Sequence, residues 1–135
     1  MMGRTHMAIG VAVALPVIKY LDLSYVSMAG AIVGSVAPDW DLYLGIKHRT
    51  ITHSLLFLLI SSVLVGVFNI DMAILWFIAY ALHLISDSFT KMGVPFFYPF
   101  VKKKYGAKLI YASGAEDLFI LLVAIYIISE MIKIK

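Results

Sequence analysis

Ionisable side chains that can bind a metal ion or transfer a proton are concentrated in residues 38–54 of this sequence. This stretch contains two aspartates, two histidines, a lysine and an arginine, although 62% of the whole chain is hydrophobic. Imidazole and carboxylate groups that lie close together bind zinc, manganese or iron, and they also act as general acids and bases. The candidates for chemistry in this stretch are Asp39, Asp41, His48, Arg49 and His53.

Two further histidines lie in apolar surroundings outside this stretch. His6 is near the start of the chain, and His83 is followed four residues later by Asp87. Side chains four residues apart share one face of a helix, so His83 and Asp87 can bind the same ion. The chain has no cysteine, which excludes thiolate ligands. The sequence therefore predicts one or two divalent transition-metal ions, zinc, manganese or iron, bound by His6, Asp39, Asp41, His53, His83 and Asp87.

The amino-acid composition indicates whether the chain folds in water or in a membrane. The chain has 135 residues, a mean hydropathy of +0.96 and only 14% charged side chains. These values exclude an ordinary soluble protein. A helix needs ~20 apolar residues to span the hydrocarbon layer, so the length allows about four or five spans and no separate soluble domain. We therefore expect residues 1–135 to form a single integral membrane domain in the plasma or inner membrane.

The fold that we predict is an all-α, polytopic membrane bundle of about five helices. Hydrophobic runs, turn residues and small residues place the helices at about 5–20, 25–38, 51–68, 72–90 and 115–132. Thr50 or Thr52 is expected to cap the third helix by accepting hydrogen bonds from its first amides. Residues 91–114 combine prolines, aromatic residues and lysines, which favours an interfacial loop over a further span.

Lysine and arginine are distributed unequally between the two sides of a five-helix bundle. Eight of the eleven lie in the N-terminal segment and in the loops at 39–50 and 91–114, which share one side. By the positive-inside rule this side, with the N-terminus, is cytoplasmic, and the C-terminus is outside. We interpret the net charge of +3 as a result of the lysines and arginines that set this topology. We therefore expect no nucleic-acid partner. All the candidate ligands fall on the same, cytoplasmic side.

The candidate ligands also have structural explanations that involve no metal. His83 and Asp87 can satisfy each other through a hydrogen bond on the helix surface, and His6 can face interfacial water. One of Asp39 and Asp41 can simply stop the second helix and form a turn. The convergence of all these groups on one membrane layer favours the metal site over these separate explanations.

The remaining charged residues also have alternative roles that involve neither catalysis nor metal binding. His48 and Arg49 can face lipid headgroups instead of a substrate. The lysines at 102–104 suit a topology determinant that touches anionic lipid. Glu116 and Asp117 suit the positive end of the fifth helix, so they are second-tier ligand candidates.

Four separated motifs occur in a recognisable order. They are Thr5-His6 with Gly10, Pro38-Asp39-x-Asp41, His48-Arg49-x-x-Thr52-His53-Ser54, and His83-x-x-x-Asp87-x-x-Thr90-x-x-Gly93. This pattern covers residues 5–99 and resembles the YdjM-type family, described as LexA-regulated, membrane-bound, metal-dependent hydrolases.

A more distant similarity is to the all-helical zinc phospholipase C and fungal nuclease group. There an early histidine, an aspartate, a histidine and a His-x-x-x-Asp provide ligands in the same order. The similarity implies the ligands His6, Asp39 or Asp41, His53, His83 and Asp87. The later histidine-rich segment that completes a three-zinc cluster in that group has no counterpart after Asp87, so a third ion is not expected.

The function that we expect is metal-dependent hydrolysis of a phosphoester in a membrane lipid or lipid-linked substrate. The principal ion is bound by His53, His83, Asp87 and one of Asp39 and Asp41. The ion activates a water and polarises the phosphoryl oxygen, while the other aspartate acts as a base or an orienter. His6 completes this site or holds a second ion.

The basic residues of the same stretch have a role in this hypothesis. Arg49, with Lys47 or His48, neutralises phosphate charge. The alternative function is a cation or proton transporter, or a metal-binding membrane protein without hydrolase activity. A transporter predicts polar residues throughout the bilayer, whereas a lipid-binding or assembly protein needs no metal. The sequence leaves open the metal, the headgroup and the oligomeric state.

Overall fold

The structure, a computed structural model, describes residues 1–45 and 47–133, and this part of the chain is helical. It contains five α-helices and no named β-strand. They are α1 (Gly3–Leu21), α2 (Met28–Val36), α3 (Leu55–Phe68), α4 (Ile70–Ser88) and α5 (Ala115–Lys133). Short 3₁₀ helices at Tyr25–Ser27 and Ala37–Leu42 flank α2, and another at Ile51–His53 precedes α3. The predicted all-α fold with five helices is confirmed.

The third helix begins at Leu55 instead of about residue 51. Its cap is Ser54, whose Oγ accepts a hydrogen bond from Phe57 N (3.2 Å). The prediction that Thr50 or Thr52 caps this helix is therefore wrong. The Thr52 hydroxyl instead donates a hydrogen bond to the buried Asp41 (2.8 Å). It therefore makes a tertiary contact and does not cap the helix.

Three helices form the centre of the bundle, and the other two pack on its sides. α1, α2 and α4 contact one another, α3 packs on α4, and α5 packs on α1. Two glycines let α2 lie against α4. A Cβ at Gly30 would overlap the carbonyl oxygen of Met72, and one at Gly34 would lie 2.9 Å from the carbonyl oxygen of Trp76. The absence of a side chain at these two positions therefore allows the close contact between α2 and α4.

By length and composition, α4 is the one helix in the described ranges that can cross a membrane. It has 19 residues and a hydropathy of 1.5. α2 and α3 have 9 and 14 residues. At a rise of about 1.5 Å per residue they are shorter than a hydrocarbon core of about 30 Å. The five spans expected from the sequence therefore stay a prediction. The topology inferred from the distribution of lysine and arginine also stays a prediction, and one of the lysines counted for it, Lys135, lies outside the described residues.

The connection between α4 and α5 folds back over the end of the bundle. Isolated bridges pair Thr90 with Ile110 and Val94 with Tyr105. The oxygen of Phe96 accepts a hydrogen bond from the first amide of α3 (2.9 Å). This loop therefore lies beside the residues that connect α2 to α3, where most of the ionisable side chains are.

Candidate metal centre

Four segments bring ionisable side chains to one end of the bundle. The first turn of α1 carries a histidine, and the 3₁₀ helix after α2 carries two aspartates. The 3₁₀ turn before α3 carries a second histidine, and the last turns of α4 carry a third histidine and an aspartate. These residues are His6, Asp39, Asp41, His53, His83 and Asp87. All are at most 2% exposed except Asp39, whose side chain is 17% exposed.

Four of these residues direct one atom each to a common point, which we call the four-atom cluster. Asp39 Oδ1 lies 3.6 Å from His53 Nε2 and 3.5 Å from His83 Nε2. Asp87 Oδ2 lies 3.6 Å and 3.7 Å from the same two nitrogens. Ligands bound about 2.0–2.2 Å from a tetrahedral ion lie roughly 3.3–3.6 Å apart. The four atoms therefore have the number, spacing and chemistry of a tetrahedral metal site.

Both imidazoles of the four-atom cluster present an unpartnered nitrogen to it. His53 Nε2 and His83 Nε2 are buried and have no hydrogen-bond partner among the described residues. The other ring nitrogen of His83 is 2.7 Å from the backbone oxygen of Ser35, so it carries the proton and leaves a lone pair on Nε2. Burial of such a nitrogen without a partner is unfavourable. A bound cation removes that cost, so the residues fit a metal.

Asp41 lies behind His53 and outside the four-atom cluster. Its Oδ2 is 3.4 Å from His53 Nδ1, and it accepts hydrogen bonds from Thr52 Oγ1 (2.8 Å) and Arg49 N (3.1 Å). Its Oδ1 is 2.9 Å from His48 Nδ1. A carboxylate against the outer nitrogen of a ligating histidine fixes the orientation and tautomer of the ring. The sequence left open which of two aspartates contacts the ion, and the structure gives Asp41 the orienting position.

Burial and hydrogen bonding have opposite effects on protonation in this region. Burial alone would lower the pKa of His53, but the carboxylates of three aspartates, each within 3.6 Å of a ring nitrogen, outweigh it and raise this pKa to about 10. Burial alone would raise the pKa of Asp41, but hydrogen bonds from His53 and two neighbours lower it to about 2. The pKa of Asp39 is also held far below its ordinary range, against its burial, by His53 and His83. Without a cation, a proton on His53 therefore holds the carboxylates together.

His6 contacts the side of the centre that faces α1. Its ring stacks on that of His83 with centroids 3.7 Å apart, and its Nε2 is 3.2 Å from Asp87 Oδ1. This oxygen is not the one in the four-atom cluster, and the nitrogen of Met1 is 2.6 Å from it. His6 therefore reaches Asp87 as the hypothesis of a second ion requires. Among the described residues no third side-chain ligand joins them there, so the geometry does not favour a second ion at His6.

The sequence predicts that Arg49 and His48 meet phosphate in the headgroup layer, and the structure gives Arg49 different surroundings. Arg49 is 2% exposed, and its Nη2 lies 2.9 Å from Asp87 Oδ2. Its Nη1 donates to Thr90 Oγ1 (2.7 Å) and to the oxygen of Gly93 (3.1 Å). The guanidinium thus pairs directly with the Asp87 oxygen that belongs to the four-atom cluster. The ring of His48 is 27% exposed and remains the outermost histidine of the centre.

Sequence reasoning missed two groups that support the centre. One is the backbone oxygen of Ser35, which orients His83, and the other is the Thr52 hydroxyl, which holds the orienting aspartate. A Cβ at Gly10 would lie 2.9 Å from Ser35 Cβ, so this glycine lets α1 approach α2 at that level. Gly10 and Thr52 both belong to the motifs quoted above. Their presence in those motifs is the sequence signal that could have identified their supporting roles.

The two acidic residues at the start of α5 do not join the four-atom cluster. Asp117 is fully buried, and its Oδ2 accepts hydrogen bonds from Met2 N (2.8 Å) and Ser113 N (2.9 Å). It therefore ties the start of α5 to the start of α1. Glu116 is exposed. These contacts match the helix-start role that the sequence offers as their alternative.

Comparison with known proteins gives the family. No curated protein and no solved structure matches this chain significantly. The model of the family described as YdjM inner membrane protein matches residues 1–134, almost the whole chain. The match agrees with the resemblance in the sequence motifs and with α4, the helix of the described residues that is long and apolar enough to cross a membrane. The chain therefore belongs to the YdjM family of inner membrane proteins.

Proposed function

We propose that this protein is a membrane-embedded hydrolase that uses one divalent cation, with zinc favoured over manganese or iron, to cleave a phosphoester of a lipid or lipid-linked substrate. The ligands would be Asp39, His53, His83 and Asp87. The observation that carries this proposal is the convergence of two buried, unpartnered imidazole nitrogens with two carboxylate oxygens. Two histidines and two carboxylates are a donor set that zinc accepts.

Differences in exposure suggest the side from which a substrate approaches. Asp39 is 17% exposed, whereas the side chains of His53, His83 and Asp87 are at most 1% exposed. When bound, a divalent cation would supply Lewis acidity by acidifying a water and polarising a phosphoryl oxygen. The second carboxylate oxygen of Asp39 is then available on the open side to accept the proton of that water.

The surrounding residues would hold this arrangement in place. Asp41 and Thr52 fix the ring of His53, and the oxygen of Ser35 fixes the ring of His83. Arg49 pairs with Asp87 and adds a positive charge beside the centre, which favours an anionic substrate. In this proposal Arg49 and Asp41 are positioning residues.

We also propose a multi-pass arrangement with the centre at the cytoplasmic face. Eight of the eleven lysines and arginines belong to the segments at the centre's end of the bundle, which supports a cytoplasmic N-terminus and an external C-terminus. Reporter fusions to the two ends test this. Fusions that report the same compartment would exclude an odd number of spans.

The hydrolase proposal is tested with purified, metal-loaded protein in mixed micelles. We expect faster hydrolysis of a lipid phosphoester than of a soluble analogue with the same headgroup, because the lipid tail adds membrane binding. Asp87→Asn should abolish turnover, whereas Glu116→Gln, which changes an exposed carboxylate at the same end, should leave it unchanged. Turnover that persists in Asp87→Asn would identify a contaminating enzyme.

A further inference from the structure

A second polar site lies beside the metal centre, where residues 47–50 meet the loop after α4. A cavity of about 270 Å³ is formed there. Its polar lining consists of Lys47, Arg49, Thr50, Tyr98, Lys102 and Lys104. We call this cavity the basic pocket. It joins basic residues that are far apart in the chain, and the metal centre does not use its lysines.

The positive charge of the three lysines of the basic pocket is not compensated within the described part of the chain. Lys47, Lys102 and Lys104 form no ion pair there, and no carboxylate lines the cavity. The guanidinium of Arg49 is 2% exposed, and its Nε is buried without a hydrogen-bond partner. Unpaired cations around a concave surface attract an anion, and ammonium or guanidinium groups bind phosphate oxygens through charge-assisted hydrogen bonds.

The pocket is fixed in place relative to the metal centre. Val94 and Tyr105 exchange two backbone hydrogen bonds of 2.8 Å, which hold the returning loop, and Arg49 Nη1 donates to the oxygen of Gly93. Arg49 lines the pocket and also pairs with Asp87, so a single guanidinium separates the two sites. An anion in the pocket would therefore lie next to the proposed reaction centre.

We propose that the basic pocket binds a phosphate group, and that this phosphate belongs to the headgroup of an anionic lipid. The lipid assignment rests on the proposed function. It is supported by the exposed apolar side chains on the segment that leads into the lysines, Phe97 (51%), Phe100 (83%) and Val101 (42%). Aromatic side chains beside lysines favour the headgroup layer, where a lipid phosphate is presented at this depth.

Phosphate binding is tested by calorimetric titration of inorganic phosphate into the full-length, metal-loaded protein in neutral-detergent micelles. The double substitution Lys102→Gln with Lys104→Gln should weaken binding by about tenfold or more, because two charge-assisted contacts are lost. The matched control is Lys103→Gln with Lys108→Gln, which removes the same charge from the same loop. Lys103 lies over the Tyr105 ring at 5.7 Å, and neither control lysine lines the pocket. Equal weakening in both double variants would overturn the proposal.

The source of the phosphate is tested by native mass spectrometry of the same micelles doped with lipid. We expect phosphatidic acid to be retained in preference to phosphatidylcholine and to be displaced by inorganic phosphate. Equal retention of the two lipids would overturn the headgroup assignment.

The hydrolysis assay separates a failure of the pocket from a failure of the proposed function. If lipid phosphoester is cleaved but KM is the same in both double variants, the pocket proposal is wrong and the hydrolase stands. If the pocket binds phosphate and metal-loaded protein cleaves no phosphoester, the hydrolase proposal is wrong and the phosphate site stands.

Discussion

The two ends of the helical bundle use the same kinds of residues for different purposes. At the end opposite the metal centre, Asn69 Oδ1 caps α4 by accepting a hydrogen bond from Met72 N (2.9 Å), and Asp71 accepts one from Ser24 N (3.2 Å). These polar groups lie within reach of solvent and satisfy backbone amides. At the centre's end, carboxylates and imidazoles are buried and face one another.

The two ends also differ in the burial of their ionisable groups. The buried acidic, basic and imidazole side chains of the described residues are His6, Asp41, Arg49, His53, His83, Asp87 and Asp117, and all lie at one end. A transporter would need such groups along the bilayer, and this distribution does not favour one. Ionisable groups buried together are unfavourable without a counter-ion, so this end is where a bound cation would matter most.

The largest expected effect is loss of metal at the centre's end only. His83→Ala should reduce bound metal to near background, because it removes one of four ligands from a buried site. Asp71→Asn at the other end is the matched control and should retain the wild-type metal content. The measurement is elemental analysis of protein shown by circular dichroism to be folded. Equal metal content in the two variants would remove the distinction between the ends.

A smaller effect on metal binding is expected from a change in Asp41, which contacts the ligand His53. Asp41→Asn should weaken metal binding by about 10–100-fold, because the orienting partner of His53 loses its charge. His48→Gln is the control. His48 contacts the same carboxylate but is partly exposed, so its substitution should change the metal affinity much less. Competition with a chelator measures both. An unchanged affinity in Asp41→Asn would mean that this carboxylate does not orient the ligand.

Packing at the opposite half of the bundle should be independent of the metal. Gly30→Ala should destabilise the fold by about 1–3 kcal/mol, because the new methyl group would overlap the rigid backbone of Met72. Gly66→Ala is the control, since its methyl group would meet Ala73 Cβ at an ordinary 3.5 Å. Thermal unfolding in micelles measures stability. If metal content per folded chain fell in Gly30→Ala, the two ends would be coupled.

The last expected effect is a pH dependence of stability in metal-free protein. The pKa of His53 is raised from about 6.5 to about 10, so the protonated ring contributes stability that is complete below about pH 6.5 and is lost as the pH rises towards 10. The melting temperature should fall over this range. His53→Gln should fall less over the same range, and identical profiles would show that His53 does not hold the carboxylates together.

Sequence periodicity was sufficient to predict the helices and the end at which the ligands meet. Hydrophobic runs locate helices well, and helix ends fix the side on which His6, His83 and Asp87 lie. The sequence also predicts the pairing of His83 with Asp87, because a helix places residues four apart on one face.

The roles within residues 37–54 could not be read in the same way. The described part of this segment consists of short 3₁₀ helices and turns, so no regular period assigns Asp39 to the ion and Asp41 to the back of His53. Arg49 has a positive φ of 57° and reaches Thr90 and Gly93 across the bundle. Such contacts, like the lysines of the basic pocket, depend on how distant loops meet.

The central claim is that Asp39, His53, His83 and Asp87 bind a divalent transition metal in the native protein. The most direct measurement is elemental analysis of the wild-type protein, purified without chelators in neutral-detergent micelles and compared with Asp39→Asn. We predict about one ion per wild-type chain, because one tetrahedral set of ligands is present. We predict a clear loss of that ion in the variant. Background metal in folded wild-type protein, even after zinc is added at neutral pH, would contradict the account.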